Sequence, residues 1–208
     1  MSDKFHAPGV PAFNLTARDK EVLSQTDEEY HLQTWDDLKT IIANNALAEL
    51  TRLPSDLRRY LAWSAGTKAK YGNMTNFLIK ERLRWAPLPS SDQDAGPAFE
   101  VENPIPFAST NDYKVLLNDW PYGLAPDIQH ICVWLKGRLP VDNIDGDLTD
   151  KGREMVQHFV NERFVKMVGA DRVLWFKNWA RLQSVRGVEH FHVLLRDVNR
   201  EQLATLTE

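Results

Sequence analysis

The stretch from Val173 to Arg196 constrains the chain most. It reads as a strand, a short polar turn and a second strand. Side chains two apart on an extended chain share a face. His190, His192 and Arg196 therefore point one way, and Phe191, Val193 and Leu195 the other. A sheet face carrying two imidazoles and a guanidinium has the chemistry to bind or transform an anion.

The rest of the chain supplies partners for this hairpin. Ile128 to Lys136 is the clearest strand, rich in β-formers, and Tyr113 to Asn118 is a shorter one. Between them Asn118-Asp-Trp-Pro-Tyr-Gly makes a rigid turn. Asn143-Ile-Asp-Gly makes a second turn. Thr149 then opens an amphipathic helix with Met155, Val156, Phe159, Val160, Phe164, Val165 and Met167 on one stripe, ended near Gly169.

Upstream the pattern is helical. Thr16, Thr26 and Thr34 each stand three residues before an acid, as a helix start requires. Leu38, Ile41, Ile42 and Leu47 follow the third of these on one face. Pro54-Ser-Asp opens a further helix that Gly72-Asn73 breaks, and another runs from Thr75 or Asn76 to Trp85.

The order predicts an α+β fold with an N-terminal helical part packed on a mostly antiparallel sheet. One domain spans 1–208, with a loose arm over 1–15, the helical part over 16–85 and the strand-rich part over 108–200. The proline-rich stretch 86–107 is a loop between the two, and the tail from Glu201 a polar finish.

The net charge of −4 gives no global field toward nucleic acid or an anionic membrane. No apolar run reaches the ~20 residues of a membrane helix. Cys132 is the single cysteine and the first residues are polar, so an intracellular, cytoplasmic protein is expected. GxGxxG, P-loop, GxSxG, HExxH and CxxC patterns are absent.

The expected site gathers His190, His192 and His130 as catalytic groups. A neutral imidazole can attack phosphorus while a second handles a proton. Asn118, Trp120 and Tyr122 form a pocket rim. Asn178, Ser184 and Arg196 hold phosphate, with Lys177, Gln183, Arg58 and Arg59 as further donors. If the His130 strand pairs beside the last one, the three histidines converge, and a three-histidine metal site becomes an alternative. Cys132 shares a face with His130 and reads as a small apolar residue.

The chain resembles the fungal N-acetylglucosamine-induced protein family. The carrying stretches include Leu53-Pro-Ser-Asp-Leu-Arg-Arg-Tyr-Leu-Ala-Trp63, Asn118-Asp-Trp-Pro-Tyr-Gly123, Trp175-Phe-Lys-Asn-Trp179 and Glu189-His-Phe-His-Val-Leu194. The resemblance implies an intracellular protein of an amino-sugar response and carries no reaction. A looser similarity is to the histidine-triad superfamily of nucleotide hydrolases and transferases. It rests on His130, a helix, Asn178, Gln183-Ser-Val185, His190-x-His192 and Arg196 in that order, and implies that His190 matches the nucleophile. Val188 stands where a third histidine belongs, and the spacing from Gln183 differs by one residue. The expected function is a phosphate-ester or nucleotide(-sugar) hydrolase or transferase on a small phosphorylated molecule. The alternative is a non-catalytic ligand-binding or regulatory protein. No cofactor or oligomeric state is specified.

Overall fold

The structure, a computed structural model, describes residues 15–89, 96–142 and 146–207. The expected arm up to Asn14 and the turn at Asn143 to Asp145 lie outside these residues.

Four strands form one sheet in the order β1-β2-β4-β3: β1 (Tyr113–Leu117), β2 (Ile128–Leu135), β3 (Val173–Phe176) and β4 (Glu189–Arg196). Every pairing is antiparallel. The architecture is α+β, as the element order predicts.

Period-two alternation gives each central strand two chemically different faces. Ile131, Val133 and Leu135 of β2 join Phe191, Val193 and Leu195 of β4 in the largest core cluster. A long helical segment covers this face. It runs from α5 (Asp150–Val160, started by the Thr149 cap) through a wide π-helical turn at Asn161–Val165 to α6 (Lys166–Val168). Phe159, Val160 and Phe164 reach the sheet, and burying each side chain is worth about 1.5–3 kcal/mol. Met167, placed on the stripe by periodicity, is instead 40% exposed, because the wide turn shifts the phase of the last residues.

The opposite face carries the histidines. Ile128, Phe176 and Leu194 pack at one end against Trp35, Leu38 and Ile41 of α2 (Trp35–Ala43). Cys132 and Trp134 pack at the other against Leu78, Ile79 and Leu83. Between these clusters stand His130, His190 and His192, roofed by the N-terminal helices.

The roof explains several local departures from the sequence reading. Thr16 and Thr34 cap α1 (Ala17–Leu23) and α2 through full capping boxes. Thr26 and Glu29 exchange the same two bonds, yet close only a turn. The chain is needed elsewhere there, since Gln33 bridges to Leu124. Leu53 holds the N-cap position of α3 (Pro54–Tyr71), with Pro54 at N1 and no side-chain cap. The Ser55 N–H is satisfied by the Asp27 carboxylate at 2.8 Å, so the cap is tertiary. Gly72 ends α3, and α4 (Met74–Phe77) starts earlier than predicted and widens into a π-helix at Leu78–Leu83. The polar tail is itself helical. Asn199 and Gln202 form a capping box for α7 (Arg200–Leu206), which buries Leu206 completely.

The expected short turn between β3 and β4 is a long connection from Lys177 to Val188 with a 3-10 turn at Ala180–Leu182. It folds back over the histidine face. The Gln183 amide donates to the Asn178 carbonyl at 2.8 Å and pins it. A Cβ on Gly187 would stand 2.8 Å from the Thr75 side chain, so glycine lets this loop lie on α4.

Candidate functional site

The β2–β4 register assembles the site. Cys132 stands opposite His192 and Trp134 opposite His190, with His130 one step along beside Leu194. All three histidines are buried, and each is held by an aromatic ring. Trp134 stacks on His190 with centroids 4.4 Å apart, Phe176 on His192 at 4.9 Å, and Tyr122 on His130 at 5.1 Å. The imidazoles are thus fixed before any ligand arrives.

Hydrogen bonds assign the tautomers. His190 Nδ1 lies 2.9 Å from the Val188 carbonyl, an acceptor only, so Nδ1 carries the proton and donates it. His190 Nε2 then holds a lone pair, and no described group bonds it. The Tyr122 N–H donates to His130 Nδ1 at 3.4 Å, which puts the His130 proton on Nε2, aimed at His192 Nδ1 3.0 Å away. His192 therefore carries its proton on Nε2. The Asn178 amide lies 3.2 Å from that nitrogen and 3.0 Å from the Tyr122 hydroxyl. The amide orientation that turns oxygen toward both lets Oδ1 accept from each, and it moves the unpartnered end of the amide from Oδ1 to Nδ2.

The network is electrically neutral. Burial holds His130 down to about 3, with the Arg52 charge adding to the effect. Burial likewise holds His190 down to about 4 against the opposing Val188 bond. Burial, His130 and His190 push His192 well below its ordinary value. Burial raises the Cys132 thiol and the Tyr122 phenol. Charging any one of them without a counter-ion would strand a charge in a low-dielectric interior.

A cavity of about 800 Å³ opens between this sheet face and the roof. His190 and His192 line it, as do Asn118, Trp120, Tyr122, Asn178 and Ser184. His130 lies behind His192, outside the lining. The far wall is an aromatic cluster in which Trp63 meets Tyr60, Phe77 and Trp120 at centroid distances of 5.9, 5.2 and 5.1 Å. The lining carries Arg52, Lys68, Arg82, Arg181 and Arg186 against the acids Asp19 and Asp119. Arg82 is paired with Asp119 at 2.9 Å. A chain of net charge −4 thus has a positively lined cavity, which focuses an attractive field on anions.

Four expected phosphate holders lie elsewhere. Arg196 shares the histidine face but sits at the end of β4 over Trp35, 5.1 Å from its ring centroid, and is not part of the lining. Lys177 points away and is ion-paired with Glu189 at 3.3 Å, both buried. Arg58 donates to the Leu23 and Gln25 carbonyls, and Arg59 pairs with Asp56.

Arg52, which sequence reasoning passed over, takes their place. Its Nε donates to the Trp120 carbonyl at 3.2 Å, and its guanidinium lies 4.1 Å over the Tyr60 ring. No carboxylate pairs with it among the described residues. The local signal was faint: an arginine just before a Leu-Pro helix start.

The metal alternative changes membership. His190 does not join His130 and His192; Cys132 does. One ligand atom from each of His130, Cys132 and His192 lies within 4.8 Å of the others.

No helix among the described residues is long and apolar enough to cross a membrane. A family model described as a protein of unknown function, DUF3605, matches residues 34–196. The N-acetylglucosamine-induced protein 1 of Candida albicans is 30% identical over 175 residues, covering 80% of this chain and 69% of that one. An uncharacterized protein of Saccharomyces cerevisiae, YPL067C, is 29% identical over 85% of each chain. A crystal structure of a protein designated HTC1 superposes with a TM-score of 0.61 at 27% identity, covering 83% of this chain and 92% of that one.

Proposed function

Because the chain belongs to the DUF3605 family of proteins of unknown function, for which no reaction is implied by membership, we propose from the cavity itself that it hydrolyses or transfers the phosphoryl or nucleotidyl group of a small phosphorylated molecule through His190. The observation that carries this is the His190 Nδ1–H bond to the Val188 carbonyl at 2.9 Å. It leaves the Nε2 lone pair as the open nitrogen of a buried ring beside a positively lined cavity. A neutral, oriented imidazole is a competent nucleophile toward phosphorus.

In the first step Nε2 forms an N–P bond as the ester P–O bond breaks. The departing oxygen takes a proton from water. In the second, water adds to phosphorus and gives its proton to the hydroxide left by the first step, the N–P bond breaks, and the lone pair returns to Nε2. Arg52 faces the negative oxygens, with Ser184 and the 183–187 loop at the mouth, and such fixed charge is the largest expected contribution to rate. The similarity to the histidine-triad enzymes supports the same assignment of His190.

The test is turnover of nucleoside diphosphates, sugar phosphates and nucleotide sugars by the purified protein, with thermal shifts on the same compounds. His190→Ala should lose at least ~10³-fold in rate while keeping ligand-induced stabilisation. Turnover that survives in His190→Ala sinks the nucleophile assignment. Stabilisation without turnover in the wild type favours the second reading, a ligand-binding regulatory protein. The relative named for induction by N-acetylglucosamine motivates including amino-sugar phosphates in the panel.

A further inference from the structure

We infer that His130, Cys132 and His192 form a binding site for a single soft monovalent metal ion, Cu(I), beneath the cavity floor. Two imidazole nitrogens and one sulfur from adjacent strands converge there. His130 Nε2 lies 3.0 Å and Cys132 Sγ 3.4 Å from His192 Nδ1. Bonds of about 2.0 Å to nitrogen and about 2.3 Å to sulfur place ligand atoms roughly 3.3–3.7 Å apart. Those two edges need an outward adjustment of only a few tenths of an ångström to admit an ion, and the ligand atoms of His130 and Cys132 lie within 4.8 Å of each other. Tyr122 and Phe176 already hold the two rings.

A second observation points the same way. Asn178 is 4% exposed, and its amide ends on His192 Nε2, with Oδ1 the atom lacking a partner. Metal-bound histidines donate their other N–H to such an acceptor, which fixes the ring and strengthens the ligand. Turning that oxygen toward His192 provides the bond.

Charge selects the ion. No carboxylate belongs to the cluster; the Arg52 charge acts on both rings, and at the thiol it opposes the charge of Asp119. Cu(I) with one thiolate is neutral, whereas Zn(II) with one thiolate leaves a buried positive charge facing Arg52. Thiolate and imidazole in a three-ligand shell suit Cu(I) by softness as well. On binding, the Cu–S bond forms as the thiol proton leaves to solvent. The His130 proton moves from Nε2 to Nδ1, at the expense of the long contacts from the Tyr122 N–H at 3.4 Å and the Asn118 amide at 3.3 Å.

The experiment is an anaerobic Cu(I) titration of the whole chain against a chromogenic Cu(I) chelator. Wild type, Cys132→Ala and His192→Ala are run in parallel with a Zn(II) titration. One equivalent of Cu(I) should be withheld from the chelator by the wild type. Either substitution should weaken retention by at least ~100-fold. Copper retention unchanged in Cys132→Ala, or Zn(II) held as tightly as Cu(I), overturns the inference. Should a variant fail to fold, X-ray absorption on copper-loaded wild type decides. One sulfur and two nitrogen neighbours support the site, and a shell of nitrogen and oxygen alone refutes it. Because His190 is not a ligand, copper retention and His190-dependent turnover stand or fall separately.

Discussion

Removing one partner of the Lys177–Glu189 pair tests the packing logic that keeps Lys177 out of the cavity. The two side chains are only 5% and 8% exposed and meet at 3.3 Å. Glu189 also accepts the Leu139 N–H at 3.4 Å. Solvent screening is therefore weak, and Glu189→Leu strands an ammonium in the interior. Breaking a buried pair from one side costs about 3–5 kcal/mol. That is a large share of the ~5–15 kcal/mol that holds a typical domain together. For a chain of this size 1 kcal/mol moves Tm by about 2–4 °C, so Glu189→Leu should lower it by roughly 6–20 °C. Lys177→Met should fall by a similar amount, because it leaves the carboxylate alone. The double variant Lys177→Met/Glu189→Leu removes both charges and should recover to within about 1–2 kcal/mol of wild type, the remainder being the unsatisfied Leu139 N–H. Urea unfolding of the four proteins closes the double-mutant cycle and should return a coupling of about 4 kcal/mol or more. Single variants that each cost under about 1 kcal/mol would mean that the pair is hydrated, and the argument would be wrong.

Arg52→Gln should weaken the thermal shift by inorganic phosphate, with apparent affinity falling about 10–100-fold, the worth of one charge-assisted bond; an unchanged shift would remove Arg52 from the anion site. A methyl at Gly123 would stand 2.5 Å from Tyr30 Cε1 and 2.8 Å from its hydroxyl, so Gly123→Ala should cost about 1–3 kcal/mol in urea unfolding by displacing Tyr30 from Thr51. Asp37 is held down to about 2 by its bonds to the Thr34 side chain and backbone and to His31. Its folded value lies below its unfolded one, so its contribution is present above about pH 4 and lost as pH falls toward about 2. Asp37→Asn should cost ~0.5–1 kcal/mol at pH 7, and the gap to wild type should close near pH 2 in parallel urea titrations.

Local order was legible where local chemistry decides it. The alternation of β4 placed His190 and His192 on one face, and the β-rich run of β2 placed His130 and Cys132 beside them once the strands paired. Caps at Thr16, Thr34 and Thr149 follow from side chains within the same turn. Long-range decisions were not legible. Arg52 and Lys177 are both cations next to polar or aromatic neighbours in sequence, yet one faces the cavity and the other Glu189. That choice depends on which layer each backbone borders. Arg196 obeys the alternation but lies four residues beyond His192, roughly 13 Å along the strand, too far to share a ligand. Cys132 looked inert because the group it meets most closely, His192, comes from the neighbouring strand. The length and fold of the Lys177–Val188 connection depend on the roof it must meet.

The antiparallel ladder that faces Cys132 with His192 and Trp134 with His190 makes the spacing of these groups discrete. A slip of one residue would turn the imidazoles toward α5 and bring phenylalanine and valine into the cavity, with no intermediate state available. Substitution cannot tune the distances between these groups by small steps. The helices and loop overhead have no such lattice and can drift by fractions of an ångström. In chains built this way, divergence should alter which molecule is admitted long before it alters where on that molecule the floor acts.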